Sequence, residues 1–207
     1  MADQAAVAAH WDDAYAQGDD TRSWFEHHPD MSLRMLDAAG ISPADALIDV
    51  GGGASALTSV LLHRGFGDLT VLDVSTAGMR YARDRLGPRA SQVHWLTADI
   101  CSWHPKRRYQ VWHDRAVFHF LITAAQRRNY MAALHAATGR GGVAVFGCFA
   151  PDGPEQCSGL PVARYSPAQL AKELGDEWRL VSQDREEHVT PAGLIQPFTW
   201  VALRRQP

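Results

Sequence analysis

Three acids and a glycine loop carry the chemistry that is legible in this chain. Asp49-Val50-Gly51-Gly52-Gly53-Ala54-Ser55 follows an apolar run, ALIDV, that reads as a strand. A strand end, a glycine turn and a helix start are thereby placed in series. Glycine allows positive φ and lets a ligand approach the main chain closely, and a helix N-terminus offers free N–H groups to an anion. Read as Gly51-x-Gly53-x-x-Ala56, the loop also fits a dinucleotide fingerprint. Asp49 argues the other way. A carboxylate in an apolar strand is costly to bury unless it meets a cation or hydrogen-bond donors. A ligand ammonium would satisfy it, and a pyrophosphate would be repelled. Asp73 closes the second strand, LTVLDV, where an acid accepts ribose hydroxyls; it equally fits a cap on the helix that begins near Ser75. Asp99, in TADI after the third strand, can accept from an adenine amino group, with Ile100 and Met79 as apolar faces for the ring. After the fourth strand come His113-Asp114-Arg115-Ala116-Val117-Phe118-His119. Asp114 could take a proton from an attacking amine, and His119 from a thiol or hydroxyl. Asp114 also fits a cap or a partner for Arg115, and His119 a satisfied core imidazole.

The elements that position these residues alternate. Val7, Trp11 and Tyr15 recur at helical spacing, predicting a helix to about Gly18. A second helix covers Met31 to Ala39, stopped by Gly40, and Ser42-Pro43 marks a turn. Helices are then predicted from Ser55 to His63, from Ser75 or Thr76 through Leu86, and from Ala124 to Ala137. They separate the strands ending at Val50 and Val74, the strand opening VHWLTADI, YQVWHD and GGVAVFGCFA. SPAQLAKELG is a helix with Ser166 as cap and Pro167 in the first turn. WRLVSQDREEHV and PFTWVALRR are strands joined by a short turn, hence antiparallel. The predicted architecture is α/β: a seven-stranded, mostly parallel sheet with helices on both faces, a C-terminal antiparallel hairpin and N-terminal helices. The 207 residues suit one domain, 1–207, divided into an N-terminal helical lid segment (1–44) and a core (45–207).

Composition excludes several classes. Apolar residues make up 46% and charged residues 21%, ordinary for a globular chain. A net charge of -3 argues against a nucleic-acid partner. The N-terminus lacks a basic signal region and no apolar run is long enough to span a bilayer, so no membrane role and a cytoplasmic location are expected. Cys101, Cys148 and Cys157 make no disulfide framework. Cys157 sits in a Pro/Gly-rich stretch, 150–161, expected to cover the acceptor; an inert thiol and a soft-ligand site both fit it. The histidines lack zinc-type spacing, so no metal is expected. Neither Lys106 nor Lys172 stands in a Tyr-x-x-x-Lys pair, which weakens an NAD(P)-dependent oxidoreductase reading.

DVGGGAS, VLDVS, TADI and the terminal hairpin, in this order, resemble the class I (Rossmann-like) S-adenosylmethionine-dependent methyltransferases over residues 45–205. The resemblance implies S-adenosylmethionine as cofactor, S-adenosylhomocysteine as product and methyl transfer by in-line displacement. It implies that Asp49 meets the methionine ammonium and that Gly51 and Gly53 lie under the cofactor. Asp73 with Val74 takes the ribose, and Asp99, Ile100 and Met79 frame adenine. Ser55 stands where many members have a third glycine. That serine, and Trp11, Tyr15 and Ser23-Trp24-Phe25 read as an aromatic lid, resemble the elongation-factor and citrate-synthase lysine methyltransferase branch. Arg115 and Ala116 depart from that branch's Asp-Lys-Gly segment. A small-molecule acceptor is the first expectation and a protein lysine the second.

Overall fold

The computed structural model describes residues 4–16 and 22–207. Helix α1 (Gln4–Tyr15) and helix α2 (Asp30–Ala38) precede strand β1 (Leu47–Val50). The predicted end of the first helix, near Gly18, falls outside the described residues. There follow α3 (Leu57–His63), β2 (Leu69–Asp73), α4 (Thr76–Leu86), β3 (Val93–Thr97), β4 (Tyr109–Arg115), α5 (Ala124–Ala137) and β5 (Thr138–Phe149). A small hairpin, β6 (Gln156–Cys157) and β7 (Leu160–Pro161), leads to α6 (Pro167–Leu174), β8 (Trp178–Val189) and β9 (Ile195–Arg205). The seven-stranded sheet has the order β3-β2-β1-β4-β5-β9-β8. Its first five strands pair in parallel, and β9 pairs antiparallel with both β5 and β8. The predicted α/β sheet with its terminal hairpin is the observed one.

Two apolar layers cover the faces. On one side Leu33, Met35 and Leu36 of α2, Leu57 and Leu61 of α3 and Met79 and Leu86 of α4 pack on Leu47, Val71 and Val111. On the other, Tyr130 and Leu134 of α5 and Leu170 and Leu174 of α6 pack on Ile48, Trp112 and Phe146. The strands alternate between these layers because successive side chains leave a strand on opposite sides. His113 and Asp114 therefore point to different faces, a consequence that decides their roles.

Local chemistry sets the ends. Ser75 caps α4 by accepting from the Gly78 N–H at 3.0 Å. Thr123 with Gln126 and Ser166 with Gln169 form capping boxes on α5 and α6. The third helix begins at Leu57, later than Ser55, because Ser55 closes a turn: its N–H donates to the Gly52 carbonyl and its hydroxyl accepts from the Leu57 N–H. The 150–161 stretch, read as a loop, contains the β6–β7 hairpin. Ser158 (φ 51°) and Gly159 (φ 74°) form its two-residue turn, the left-handed pair such hairpins need.

Candidate active site

The carboxyl ends of β1, β2, β4 and β5 share one edge of the sheet, and the predicted acids assemble there. Gly51 (φ 70°) turns the chain out of β1. A Cβ at this position would run into Val117 Cγ2, so the loop after β4 lies directly against it. The Gly53 N–H donates to Asp73 Oδ2 at 2.9 Å, tying the glycine loop to the end of β2. A Cβ on Gly53 would fall 2.8 Å from that oxygen and 2.7 Å from Tyr15 Oη. Asp73 Oδ1 accepts from the Ser75 N–H at 2.7 Å. Each carboxylate oxygen has two lone pairs, so acceptor capacity remains for a ligand's hydroxyls.

Asp49 is buried, and its Oδ1 lies 2.7 Å from His113 Nδ1. His113 Nε2 lies 3.0 Å from the Ser32 hydroxyl of α2. A neutral His113 carrying its proton on Nδ1 donates to Asp49 and accepts from Ser32. The second oxygen, Asp49 Oδ2, is buried without a partner among the described residues. An orphaned acceptor on a buried acid, beside a glycine loop, fits a ligand ammonium. His113 was missed in the sequence, where it belongs to no motif. The signal lies in the register: Asp49 and His113 are direct neighbours on β1 and β4.

Burial pushes the Asp73 carboxyl up to about 6, with the Asp49 charge adding to the effect against the N–H groups of Ser75 and Gly53. A group whose folded pKa is raised contributes stability that is present below its unfolded pKa and lost as pH rises through the folded one. Asp73→Asn removes this titration. The variant is expected to lose less stability than wild type between about pH 4 and about pH 6; melting curves across that range test it, and equal losses would contradict it.

Helix α1 roofs the β2 exit. Asp12 accepts from the Ser75 hydroxyl at 2.7 Å and the Ala77 N–H at 3.0 Å, so α1 supplies an acid to the start of α4. Sequence reading passed over Asp12 because its partners lie more than sixty residues away. The Tyr15 ring occupies the space that a Cβ on Gly78 would take. Tyr81 Oη donates to the Tyr15 carbonyl at 3.1 Å. Trp24 meets Tyr15 and Trp11 edge-on at 5.9 and 5.7 Å, and Trp11 meets Phe120 at 5.0 Å. Of the predicted lid, Trp11, Tyr15 and Trp24 are thus in one cluster, while the Phe25 ring meets that of His27.

Asp99 closes a turn after β3, its Oδ1 accepting from the Cys101 N–H at 2.8 Å. Ile100 belongs to the α5–α6 layer and Met79 to the α2–α4 layer. Val74 is half-buried between Asp73 and the Ser75 cap. Cys157 is buried and its thiol is pushed up to about 11 by burial, which favours the inert reading.

The two residues expected to handle protons, Asp114 and His119, are both fully buried. Asp114 faces α5. Its carboxylate accepts from Tyr130 Oη and from the Val117 and Phe118 N–H groups at 2.9 and 3.1 Å. Burial pushes this carboxyl up to about 6 against those donors. It holds the turn that carries Ala116 at φ 66°. His119 is fully buried against the rings of Phe120 and Phe149. Its Nδ1 accepts from the Phe149 N–H at 3.3 Å, which places the proton on Nε2, an atom with no partner among the described residues. Burial, with the Arg115 charge, drives its pKa down to about 3. His119 is therefore a neutral donor at Nε2 rather than a base.

A cleft of about 810 Å³, lined by Arg108, Arg140 and Arg204, opens at the other edge of the sheet and contains none of these acids.

No curated protein matches the chain by sequence. Residues 47–142 match a family model described as a methyltransferase domain. The fold superposes on a structure from work on the conversion of a disulfide bond into a thioacetal group during echinomycin biosynthesis. The TM-score there is 0.77 at 21% identity, over 97% of this chain and 93% of that one. It also matches N-methyltransferase NodS from Bradyrhizobium japonicum WM9 in complex with S-adenosylhomocysteine (0.72, 18%, 94% and 96%). A third match is 1,6-didemethyltoxoflavin-N1-methyltransferase from Burkholderia thailandensis (0.71, 17%, 100% and 92%). The dinucleotide reading of the glycine loop gives way to this family match, in accord with the unpaired Asp49 oxygen that would repel a pyrophosphate. The chain thus carries a methyltransferase-domain match over residues 47–142 and shares the fold of these methyltransferase structures.

Proposed function

We propose that this protein methylates a small-molecule acceptor, as a single cytoplasmic domain with residues 1–44 as lid segment and 45–207 as core. Bound at the β1–β2 edge, S-adenosylmethionine supplies a methyl group on a sulfonium, open to in-line displacement by an acceptor lone pair. The observation that carries the reading is the buried, unpartnered Asp49 Oδ2 beside Gly51 and Gly53.

The residues divide the work of binding and orientation. Asp49, held by His113, takes the ammonium. Asp73 and Val74 take the ribose, and Asp99 with Ile100 and Met79 takes the adenine. Ser55 fixes the glycine turn. Tyr15 and Trp24 exclude water from above, which strengthens every polar contact beneath them. His119 offers its Nε2 proton to an oxygen or anionic atom of the acceptor. It supports an acceptor that needs orienting more than deprotonating. Small-molecule acceptors are supported by the neighbours, whose names speak of echinomycin biosynthesis and 1,6-didemethyltoxoflavin. A protein-lysine acceptor draws less support: Arg115, at the lysine position of that branch's motif, is spent on an ion pair with Glu26.

Calorimetry with S-adenosylhomocysteine and with NAD(H) tests the cofactor, and binding only of NAD(H) would overturn the reading. Labelled S-adenosylmethionine, offered to a small-molecule panel and to a cell lysate separated by mass, tests the acceptor. Label found only in protein would overturn the small-molecule proposal. Trp24→Ala is expected to weaken S-adenosylhomocysteine binding about tenfold, the scale of one lost aromatic contact; unchanged affinity would remove Trp24 from the lid.

A further inference from the structure

A buried polar cluster lies beside the aromatic lid, and the roles above leave it unused. Its centre is Arg115, the last residue of β4. Its guanidinium donates to the Trp24 carbonyl at 2.8 Å and pairs with Glu26 at 2.9 Å. It also approaches His188 Nδ1 at 3.5 Å and lies 5.0 Å over the Phe198 ring. His188 donates from Nε2 to the Ser23 carbonyl at 2.7 Å, which leaves Nδ1 as the acceptor facing the arginine. Glu186 is held by the Trp200 indole N–H at 2.7 Å. Ligand atoms of Glu26, Glu186 and His188 lie within 4.8 Å of one another, the layout of a cation site. Here the guanidinium stands among them as that cation.

The connectivity matters more than the charge. Trp24 and Glu26 belong to the segment between α1 and α2. His188 and Glu186 belong to the last turn-ward residues of β8, and Phe198 to β9. Arg115 belongs to the strand whose exit loop lies against the glycine turn. One side chain joins all three. We propose that Arg115 is a positioning residue: by gripping the Trp24 carbonyl, Glu26 and His188 together, it locks the lid segment to the C-terminal hairpin and holds Trp24 over the cofactor cleft. The inference rests on the reading of Trp24 as part of the lid. Only a planar fork reaches a carbonyl, a carboxylate and an imidazole at once, so lysine cannot substitute.

Proton uptake follows from the same geometry. Burial pushes the Glu26 carboxyl up to about 7; Arg115 opposes this, and Glu186 on β8 and Asp30 on α2 reinforce it. His188, from β8, faces the same space in its neutral form. Below this pH a proton lies between Glu26 and Glu186. Above it, two carboxylates compete for one guanidinium. Because burial and Glu186 outweigh Arg115, the cluster's net contribution to holding the segment folded is fully present at low pH and is lost as pH rises through the folded pKa.

The test uses the full chain with Arg115→Met, Arg115→Lys and Glu26→Gln, reading amide hydrogen exchange at residues 22–28 and S-adenosylhomocysteine affinity. Arg115→Met is expected to speed exchange in that segment about tenfold and weaken binding about tenfold, with Arg115→Lys recovering little. Wild type is expected to bind about threefold more weakly at about pH 8 than at about pH 6, and Glu26→Gln to flatten that ratio. Unchanged exchange and affinity in Arg115→Met overturn the proposal. If that variant does not fold, an Arg115→Lys with wild-type exchange, or a Glu26→Gln with the wild-type pH ratio, overturns it instead. If wild type itself fails to bind S-adenosylhomocysteine, the cofactor reading fails, and exchange at 22–28 alone decides the role of Arg115.

Discussion

Asparagine in place of Asp49 is expected to weaken S-adenosylhomocysteine binding by about thirtyfold or more, the effect of removing one partner of a buried charge pair at about 2–5 kcal/mol. The size follows from the geometry. One oxygen of Asp49 accepts from His113, and the other is buried and unpartnered. Asparagine has a single oxygen. If that oxygen serves His113, the amide NH₂ is left facing the ligand ammonium, donor against donor. If it faces the ligand, the amide donates to His113, whose proton moves to Nε2 and is donated to the Ser32 hydroxyl instead. The first arrangement sets donor against donor, the second keeps the contacts, and both forfeit the charge. Calorimetry with both proteins measures the change. An Asp49→Asn variant within a factor of about two of wild type would place the ammonium elsewhere.

Asp114→Ala is expected to cost about 3–5 kcal/mol of folding stability, since it leaves several donors without their acceptor at about 1–3 kcal/mol for each buried one. Three donors converge on this carboxylate: the Tyr130 hydroxyl and the N–H groups of Val117 and Phe118. The Phe118 and Tyr130 donors lie where water cannot replace the lost acceptor, since Asp114, Phe118 and Tyr130 have no exposed surface. Tyr130 retains its bond from the Trp112 indole at 2.8 Å, but its own proton is stranded. Asp114→Asn keeps one acceptor and is expected to lose less. Urea denaturation measures both. A variant with wild-type stability and no turnover would return Asp114 to the proton-handling role first read from its position.

These two acids show what was legible in the sequence and what was not. Asp49 and Asp73 stand at strand ends beside glycines, and local pattern alone locates them. The alternation of strands and helices, and the short turn before β9, likewise fixed the architecture. Asp114 is less legible, because its position relative to β4 is clear but its face is not. The side-chain period of a strand is two, so the burial of Trp112 toward α5 decides that Asp114 goes the same way and His113 the other. That decision needs the packing of helices far along the chain. His119 was misread for a related reason. Its tautomer is set by the Phe149 N–H, thirty residues away, and no local motif encodes it. Asp12 and Arg115 belong to the same class: their partners are non-local, and each looks like an ordinary surface charge until the chain is folded.

Tyr15 rests in a hollow that exists because Gly78 has no side chain. The roof and the helix beneath it are therefore shaped as mould and cast. A bulkier residue at 78 demands a smaller one at 15, so in the divergence of this lineage the two positions can drift only as a pair.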